Sequence, residues 1–393
     1  VQHVIAMFGA TVLAPILMGF DPNLAIFMSG VGTLLFYFIT GGQVPSYLGS
    51  SFAFIGVVIA ATGYGGQGPN ANLPVALGAI IVCGLLYALI GALVNAVGTR
   101  WIERLMPPVV TGAVVAVIGL NLAAIPVKNM AASNFDSWMQ LVTFVSVALV
   151  AVFARGMVQR LLILVGLAIA TLIYVLLANG LGLGKPMDFS GIANAAWVGL
   201  PRFTAPEFSG NAMLLIAPVA LILVAENLGH LKAVAAMTGR NLDPYIGRAF
   251  TADGVATMIS GAAGGTGVTT YAENIGVMAA TRIYSTAVFV VAALMALVLG
   301  FSPKFGALIQ AIPLPVMGGV SIVVFGLITI AGARIWVDNK VDFSNPANLL
   351  TAAITLILGT GDFTLKFGSF ALGGIGTATF GAVLLHALLR RRA

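Results

Sequence analysis

The sequence predicts an all-α polytopic membrane protein. Its mean hydropathy is +1.06 over 393 residues, of which 60% are hydrophobic and 8% charged. Apolar stretches of helical length recur along the whole chain, which is not the composition of a soluble domain with one core. At roughly 20 residues per spanning helix, the chain has room for about 12 to 14 crossings.

Fourteen helices are predicted from apolar runs that are separated by Pro, Gly and charged residues. In chain order they cover 1–19, 22–40, 51–62, 74–98, 107–125, 137–155, 160–180, 211–233, 247–261, 272–282, 284–301, 308–332, 345–359 and 371–389. Two of them, 51–62 and 272–282, are too short to cross a bilayer of about 30 Å. The polar stretch 181–209 is the longest connection and divides the chain into halves of seven helices.

The two halves resemble each other in sequence. Residues 108–124 align without gaps on residues 315–331, and the shared positions include one proline and two glycines. Chance similarity among apolar helices is the alternative, but the shared Pro and Gly positions favour a true repeat. Because each repeat has an odd number of crossings, the second is expected to be inverted in the membrane, as in many secondary transporters.

Each short helix follows a segment that is rich in helix breakers. Residues 45–51 precede Phe52, and residues 264–271 precede Glu273, while the glycine-rich stretch 261–267 is also expected to be extended. Non-helical backbone at membrane depth must be buried in protein or line a cavity, so the two leaders are expected to meet near the midplane. The helix starts would then offer N–H groups and positive dipole ends to a ligand.

The charge distribution indicates topology rather than nucleic-acid binding. The 18 basic residues are scattered over short loops instead of forming one patch. If Val1 is cytoplasmic and the chain crosses fourteen times, thirteen of them are cytoplasmic, including Arg391 and Arg392, which satisfies the positive-inside rule. The five outside are Lys128, Lys185, Arg202, Lys304 and Lys366.

Enzymatic and metal-binding motifs are missing from the sequence. There is no His-Glu-x-x-His helix, Gly-x-Ser-x-Gly elbow or Walker phosphate loop. The lone Cys83 excludes an intramolecular disulfide and a cysteine-based metal site. We therefore predict neither an enzyme nor a bound cofactor or metal, and any active transport is expected to use an ion gradient.

Glu226 and Glu273 are the candidate ligand-binding carboxylates. Glu226 lies in an apolar run and shares one helix face with His230, four residues on. A buried carboxyl can carry a proton near neutral pH, and an imidazole can relay it. The alternative for this pair is a structural polar cluster, and the alternative for Glu273 is a helix cap. Ionisable groups inside a membrane are expensive, which favours function.

Other candidates would line or support the same site. Phe52 and Tyr271 flank the two breaks, where an aromatic face can stack on a planar ring, although packing is the common role of such residues. Asp253 is a third intramembrane acid, which could pair with helix-start backbone or a neighbouring Asn. Asp253, Asn274 and Ser51 are predicted to hold the ligand-contacting residues in place.

The sequence resembles the nucleobase–ascorbate transporters, also called nucleobase cation symporter family 2. Residues 273–282 (Glu-Asn-Ile-Gly-Val-Met-Ala-Ala-Thr-Arg) fit that family's signature of an acid or amide, Asn-x-Gly, four variable residues, then Thr and a basic or Gly residue. Residues 2–3, 50–54, 225–230 and 312–319 are also similar to bacterial uracil permeases. The resemblance runs essentially end to end.

The pyrimidine branch of the family is the best match. Residues 99–108 and 361–363 fall in surroundings similar to those of its pyrimidine permeases, which favours uracil over purines. The resemblance implies fourteen segments in two inverted repeats, with a core domain from segments 1–4 and 8–11 and a gate domain from 5–7 and 12–14. The corresponding ranges are 1–106 and 209–303 for the core, and 107–208 and 304–393 for the gate.

The resemblance also implies roles for individual residues. Glu226 and Glu273 would hydrogen-bond uracil, Phe52 would line its ring, and His230 would join Glu226 in proton coupling. Further substrate-site positions follow from the same motifs: Ala10, Tyr271, Ala272 and Phe325. Ala272 stands where Gly is usual, which narrows the backbone approach, and Phe325 stands where a Tyr occurs, which removes a hydroxyl.

The function expected from the resemblance is proton-coupled uptake of uracil across the bacterial inner membrane by alternating access. Uracil, protons and membrane lipids are the expected partners, without nucleic acid, and a homodimer through the gate domain is implied. The alternatives are a purine or xanthine permease of the same fold, an uncoupled facilitator, and an anion exchanger of the same architecture. The last usually lacks paired site carboxylates.

Overall fold

The computed structural model describes residues 2–64, 68–367 and 370–390, so Val1, Arg391 and Arg392 of the topology argument lie outside it. Its α-helices run in the following order: α1 Gln2–Met18, α2 Pro22–Ile39, α3 Ile55–Thr62, α4 Leu73–Val97, α5 Arg100–Leu105, α6 Pro108–Leu122, α7 Asn134–Phe153, α8 Gly156–Arg160, α9 Leu162–Val175, α10 Ser190–Asn194, α11 Gly210–Ile216, α12 Val219–Thr238, α13 Ile246–Ala263, α14 Ala272–Thr281, α15 Thr286–Gly300, α16 Pro303–Gln310, α17 Leu314–Asp338, α18 Pro346–Thr360 and α19 Gly374–Leu389.

Short elements complete the described structure. The strands are β1 Leu48–Ser50, β2 Val268–Thr270, β3 Leu365–Phe367 and β4 Phe370–Leu372. Turns of 3₁₀-helix cover Phe52–Phe54 and Asp243–Tyr245, and turns of π-helix cover Ile125–Asn129 and Leu176–Gly180. The sequence therefore predicts the all-helical class correctly, with strands confined to three-residue pieces.

Seven of the described helical stretches are long and apolar enough to cross a membrane. An eighth is added if α15 and α16, which meet at an 84° bend, are counted as one span. Four further apolar helices are shorter: Gln2–Met18, Phe52–Thr62, Pro346–Thr360 and Gly374–Leu389. The chain is thus a multi-pass membrane protein.

The first pair of strands forms a buried junction between the two halves of the chain. β1 and β2 are antiparallel, with Leu48 opposite Thr270 and Ser50 opposite Val268, and every residue of both strands is buried. The ladder continues at both ends, where Ser51 N donates to Gly267 O at 2.9 Å and Tyr271 N donates to Tyr47 O at 3.0 Å. The expectation that the two extended leaders meet and satisfy each other's backbone is confirmed.

Glycines allow α4 and α13 to cross in close contact. A Cβ atom on Gly84 or Gly91 would collide with the backbone of α13, and one on Gly247 or Gly254 would collide with α4. Small residues at such positions let helix backbones approach in a membrane. This crossing fixes α13, and with it strand β2, against the first half of the chain.

Several predicted boundaries are wrong. The stretch 261–263 is helical, because α13 continues to Ala263 and ends only at Gly264, whose φ of +102° reverses the chain. The predicted helix 308–332 is two elements, since α16 ends at Gln310 and α17 begins after Pro313. Proline favours the first turn of a new helix over a helix interior.

Candidate functional site

Glu226 lies on α12 and faces the start of α14. Its carboxylate is largely buried, and its Oε2 atom has no hydrogen-bond partner among the described residues. Helix α12 packs against α14, the helix whose first turn contains Glu273. Within the described parts of the chain, neither carboxylate has a basic partner at ion-pair distance. Two acids without basic partners on neighbouring helices offer acceptors to an incoming donor.

Glu273 occupies the first turn of α14, directly after strand β2. The chain is extended at Tyr271, which is the N-cap residue, and becomes helical at Ala272. An acid in the first turn is favoured by the positive end of the helix dipole. Capping and ligand contact are compatible for this side chain, because a carboxylate accepts several hydrogen bonds.

His230 belongs to a hydrogen-bonded chain that leads away from Glu226. Its Nδ1 atom lies 2.9 Å from Oγ1 of Thr270, and that hydroxyl donates to Oδ1 of Asn227 at 3.2 Å. The amide of Asn227 donates in turn to Oδ2 of Asp253 at 2.6 Å and to the Tyr87 hydroxyl at 2.8 Å. The chain connects α12, β2 and α13, and both His230 and Asn227 take part in it.

Asp253 is fully buried inside this polar chain. Its Oδ2 accepts from Asn227, as one of the two pairings predicted for it, while its Oδ1 has no partner among the described residues. A buried acid with an unpartnered oxygen is costly unless it is protonated or serves a function. Asp253 is thus linked to Thr270 through the side chain of Asn227.

Tyr271 clamps the two strands together. Its hydroxyl donates to Ser50 O at 2.9 Å and accepts from Thr11 Oγ1 at 3.2 Å. Its ring lies directly over the backbone of Gly49, where a Cβ atom would collide with it. These contacts hold the Tyr271 ring against the backbone of the strand junction.

Phe52 opens the 3₁₀ turn that follows β1. Its ring is almost fully buried and meets the ring of Phe325 edge to face, with centroids 5.8 Å apart and planes at 87°. Ser51 caps this turn by accepting from Ala53 N at 3.3 Å. The contact brings a residue of α17 to the first strand junction, although Phe52 and Phe325 are far apart in the sequence.

Ala10, Ala272 and Asn274 are the remaining sequence candidates. Ala10 is buried in α1, whereas Ala272 is exposed at the start of α14. The fully buried Asn274 donates its amide to His3, to Nδ1 at 3.1 Å and to the carbonyl oxygen at 3.0 Å. Asn274 therefore ties α14 to α1 beside Glu273.

Sequence reasoning missed two residues of the site. Thr270 bridges His230 and Asn227, and Thr11 anchors Tyr271. Neither belongs to an unusual motif: Thr270 is placed by the register of β2, and Thr11 is placed by the packing of α1 against the strand junction. Among the described residues, no group of three or more His, Cys, Asp or Glu side chains is placed to hold a metal ion.

Apolar spans that surround unpaired carboxylates and a buried strand junction define a multi-pass membrane transporter. The chain belongs to the nucleobase–ascorbate transporters: the Xan_ur_permease model, described as a permease family, matches residues 1–367. This confirms the resemblance and identifies the protein as a permease rather than an enzyme.

Several relatives cover almost the whole chain. RutG of Escherichia coli (strain K12), named as a pyrimidine permease, is 70% identical and spans 100% of this chain and 89% of its own. The uracil permease of Bacillus caldolyticus is 42% identical, over 100% of this chain and 91% of its own. The uracil permease of Escherichia coli (strain K12) is 39% identical, over 99% of this chain and 90% of its own.

Solved structures show the same fold at low identity. The transmembrane domain of the cyanobacterial bicarbonate transporter BicA superposes with a TM-score of 0.68 at 16% identity, covering 97% of this chain and 94% of that one. The murine Solute Carrier 26 family member A9 anion transporter superposes with a TM-score of 0.68 at 12% identity, covering 100% of this chain and 68% of that one. These similarities concern the fold alone.

Proposed function

We propose that this permease takes up uracil together with protons across the bacterial inner membrane. The observation that carries the proposal is the pair Glu226 and Glu273, two largely buried carboxylates near the strand junction that have no basic partner among the described residues. Such a pair suits a neutral ligand with N–H donors better than an anion, which the two negative charges would repel. The names of the relatives, pyrimidine and uracil permeases, support the same substrate class.

Uracil presents two N–H donors and two carbonyl acceptors around a flat ring. The carboxylates of Glu226 and Glu273 would accept from the N–H groups, and the free backbone N–H groups at the helix start near Ala272 would donate to a carbonyl. Phe52 would cover one face of the ring, and Phe325 would hold Phe52 in place through its edge-to-face contact. Ala10 and Tyr271 would set the walls of the same space.

Proton coupling would use Glu226 with His230. A proton on Glu226 turns one of its carboxylate oxygens into a hydrogen-bond donor. The uracil complex and the empty site would therefore favour different protonation states of Glu226. His230 is hydrogen-bonded to Thr270 and through it to Asn227, so a change in the charge of His230 would alter the hydrogen bonds behind the site. Binding and protonation would thereby depend on each other.

We further propose fourteen spans in two inverted repeats of seven, with core ranges 1–106 and 209–303 and gate ranges 107–208 and 304–393. The packing pattern supports this, because contacts of one half recur in the other. Helix α2 packs on α15 as α4 packs on α13, α7 packs on α9 as α18 packs on α19, and α7 packs on α17 as α6 packs on α18. Alternating access would then be movement of the core helices against the gate helices.

The test is uptake of labelled uracil into proteoliposomes with and without an inward proton gradient. Unlabelled thymine, xanthine, adenine and sulfate serve as competitors. We expect uptake that the gradient accelerates and that pyrimidines alone inhibit. Inhibition by xanthine alone would make the protein a purine permease, and uptake indifferent to the gradient would make it an uncoupled facilitator.

A further inference from the structure

A basic cleft lies where α4 ends and α5 begins, far from the strand junction along the chain. It has a volume of about 330 Å³ and is lined by Leu93, Val97, Arg100, Trp101 and Arg104. We call it the α4–α5 cleft. Arg100 and Arg104 are four residues apart, so both guanidinium groups lie on the same side of α5.

The two arginines of the α4–α5 cleft carry uncompensated charge. Glu103, which lies between them in sequence, pairs with Lys232 at 2.9 Å, and Asp243 pairs with the same ammonium at 2.8 Å. Asp243 also lines a neighbouring cleft with Arg100, but its carboxylate is already engaged. Throughout the described ranges, no acidic side chain lies within ion-pair distance of Arg100 or Arg104.

Trp101, which also lines the cleft, carries a polar atom without a partner in the described part of the chain. The indole Nε1 of Trp101 is buried and lacks a hydrogen-bond partner among the residues described. An indole N–H can only donate, so it requires an oxygen or nitrogen acceptor. Because this Nε1 atom is buried, the preference for an oxyanion rests on the two guanidinium forks, whose geometry phosphate matches.

An apolar stripe on α4 leads directly to these donors. Leu89, Leu93 and Val97 are exposed and lie four residues apart, on one face of a helix that is apolar enough to span the membrane. The helix ends at Gly98, whose φ of +82° turns the chain into α5. Acyl chains along this stripe would end with their headgroup at the arginines.

We propose that the α4–α5 cleft binds the phosphate of an anionic phospholipid, with the acyl chains lying against α4. Arg100 and Arg104 hold the phosphate, and Trp101 anchors the cleft at the membrane boundary, where indole rings are favoured. In the orientation predicted from the basic residues, the cleft lies at the cytoplasmic leaflet. Lipid binding at the cleft does not depend on uracil transport. Because α5 connects the proposed core and gate ranges, the lipid would contact the segment between them.

The experiment is photolabelling of the purified full chain in nanodiscs with a phosphatidylglycerol that carries a diazirine on its acyl chain. We expect labelled peptides covering Leu89 to Val97. Arg100→Gln/Arg104→Gln should weaken this labelling about 30-fold, which corresponds to about 2 kcal/mol for two basic residues near the surface. The matched control Arg334→Gln/Lys340→Gln, which also removes two exposed positive charges, should leave it unchanged.

Three results would overturn the proposal. One is equal labelling of residues 89–97 in the wild type and in the Arg100→Gln/Arg104→Gln variant. Another is labelling of the wild type by a phosphatidylcholine probe that is as strong as labelling by the phosphatidylglycerol probe. This comparison tests the preference for an anionic lipid even if the variant does not fold. The third is complete loss of labelling with excess inorganic phosphate, which would make the cleft a site for the free ion. Uracil uptake is measured separately, so failure of the transport proposal would not affect these outcomes.

Discussion

The Nδ1 atom of His230 lies 2.9 Å from the hydroxyl of Thr270 across the boundary between α12 and strand β2. The same hydroxyl donates to Asn227 at 3.2 Å, so it accepts from His230 when the imidazole carries its proton on Nδ1. A single threonine thereby sets the tautomer of His230 and the orientation of Asn227. Its position links the proposed proton-coupling residue to the strand junction.

Replacement of Thr270 tests this linkage. Thr270→Val removes the hydroxyl, keeps the shape and leaves Nδ1 of His230 and Oδ1 of Asn227 without a partner. Unpaired buried polar groups cost about 1–3 kcal/mol, so we expect a lower thermal unfolding temperature and slower gradient-driven uptake. Thr270→Ser keeps the hydroxyl and is the control. Wild-type stability and uptake in Thr270→Val would contradict the linkage, because that variant keeps a methyl group and lacks only the hydroxyl.

Glu226→Gln tests the assignment of proton coupling. The amide is the same size but cannot gain or lose a proton, so we expect uptake of labelled uracil to become independent of an imposed proton gradient. Substrate exchange in the absence of a gradient should be retained in part, because the amide oxygen still accepts a hydrogen bond. Glu207→Gln, which changes an exposed acid, is the matched control. Full gradient stimulation in Glu226→Gln would refute the coupling role.

The sequence predicts the strand junction because few structures accommodate its residues. Pro45 and the glycines of 264–267 disfavour helix, and Val268, Thr269 and Thr270 favour an extended strand. At membrane depth, extended backbone needs a partner, and each half of the chain contains one such segment. The pairing of β1 with β2 follows from this argument, and so does the placement of Glu273 at a helix start.

The sequence could not predict which threonine faces His230. Side chains alternate across a strand, and a shift of one residue in register would exchange Thr269 with Thr270. The observed register directs Thr270 to His230 and leaves the buried hydroxyl of Thr269 without a partner among the described residues. The sequence also does not predict the bend between α15 and α16, because an apolar run contains no information about the angle between two short helices.

Gly49→Ala tests how tightly the junction is packed. The added Cβ atom would overlap the ring of Tyr271, which cannot move aside while its hydroxyl is held by Ser50 and Thr11. Overpacking of this kind costs about 1–3 kcal/mol, so we expect reduced thermal stability and reduced uptake. Gly326→Ala is the control, because no atom lies within 4 Å of a Cβ atom at that helical position. Wild-type behaviour of Gly49→Ala would contradict the packing inferred for Tyr271.

Phe52→Ala tests whether this ring covers the bound base. Stacking of an aromatic side chain on a base is worth about 1–3 kcal/mol, so the KM for uracil should rise by roughly 5- to 150-fold. The exchange also removes the edge-to-face contact with Phe325, so thermal unfolding must be measured beside uptake. Phe52→Leu fills most of the space without an aromatic face, and it should restore stability but not affinity. Phe38→Ala, at a ring that is 71% exposed, is the control for loss of an aromatic residue elsewhere. An unchanged KM in Phe52→Ala would assign Phe52 to packing against Phe325 alone.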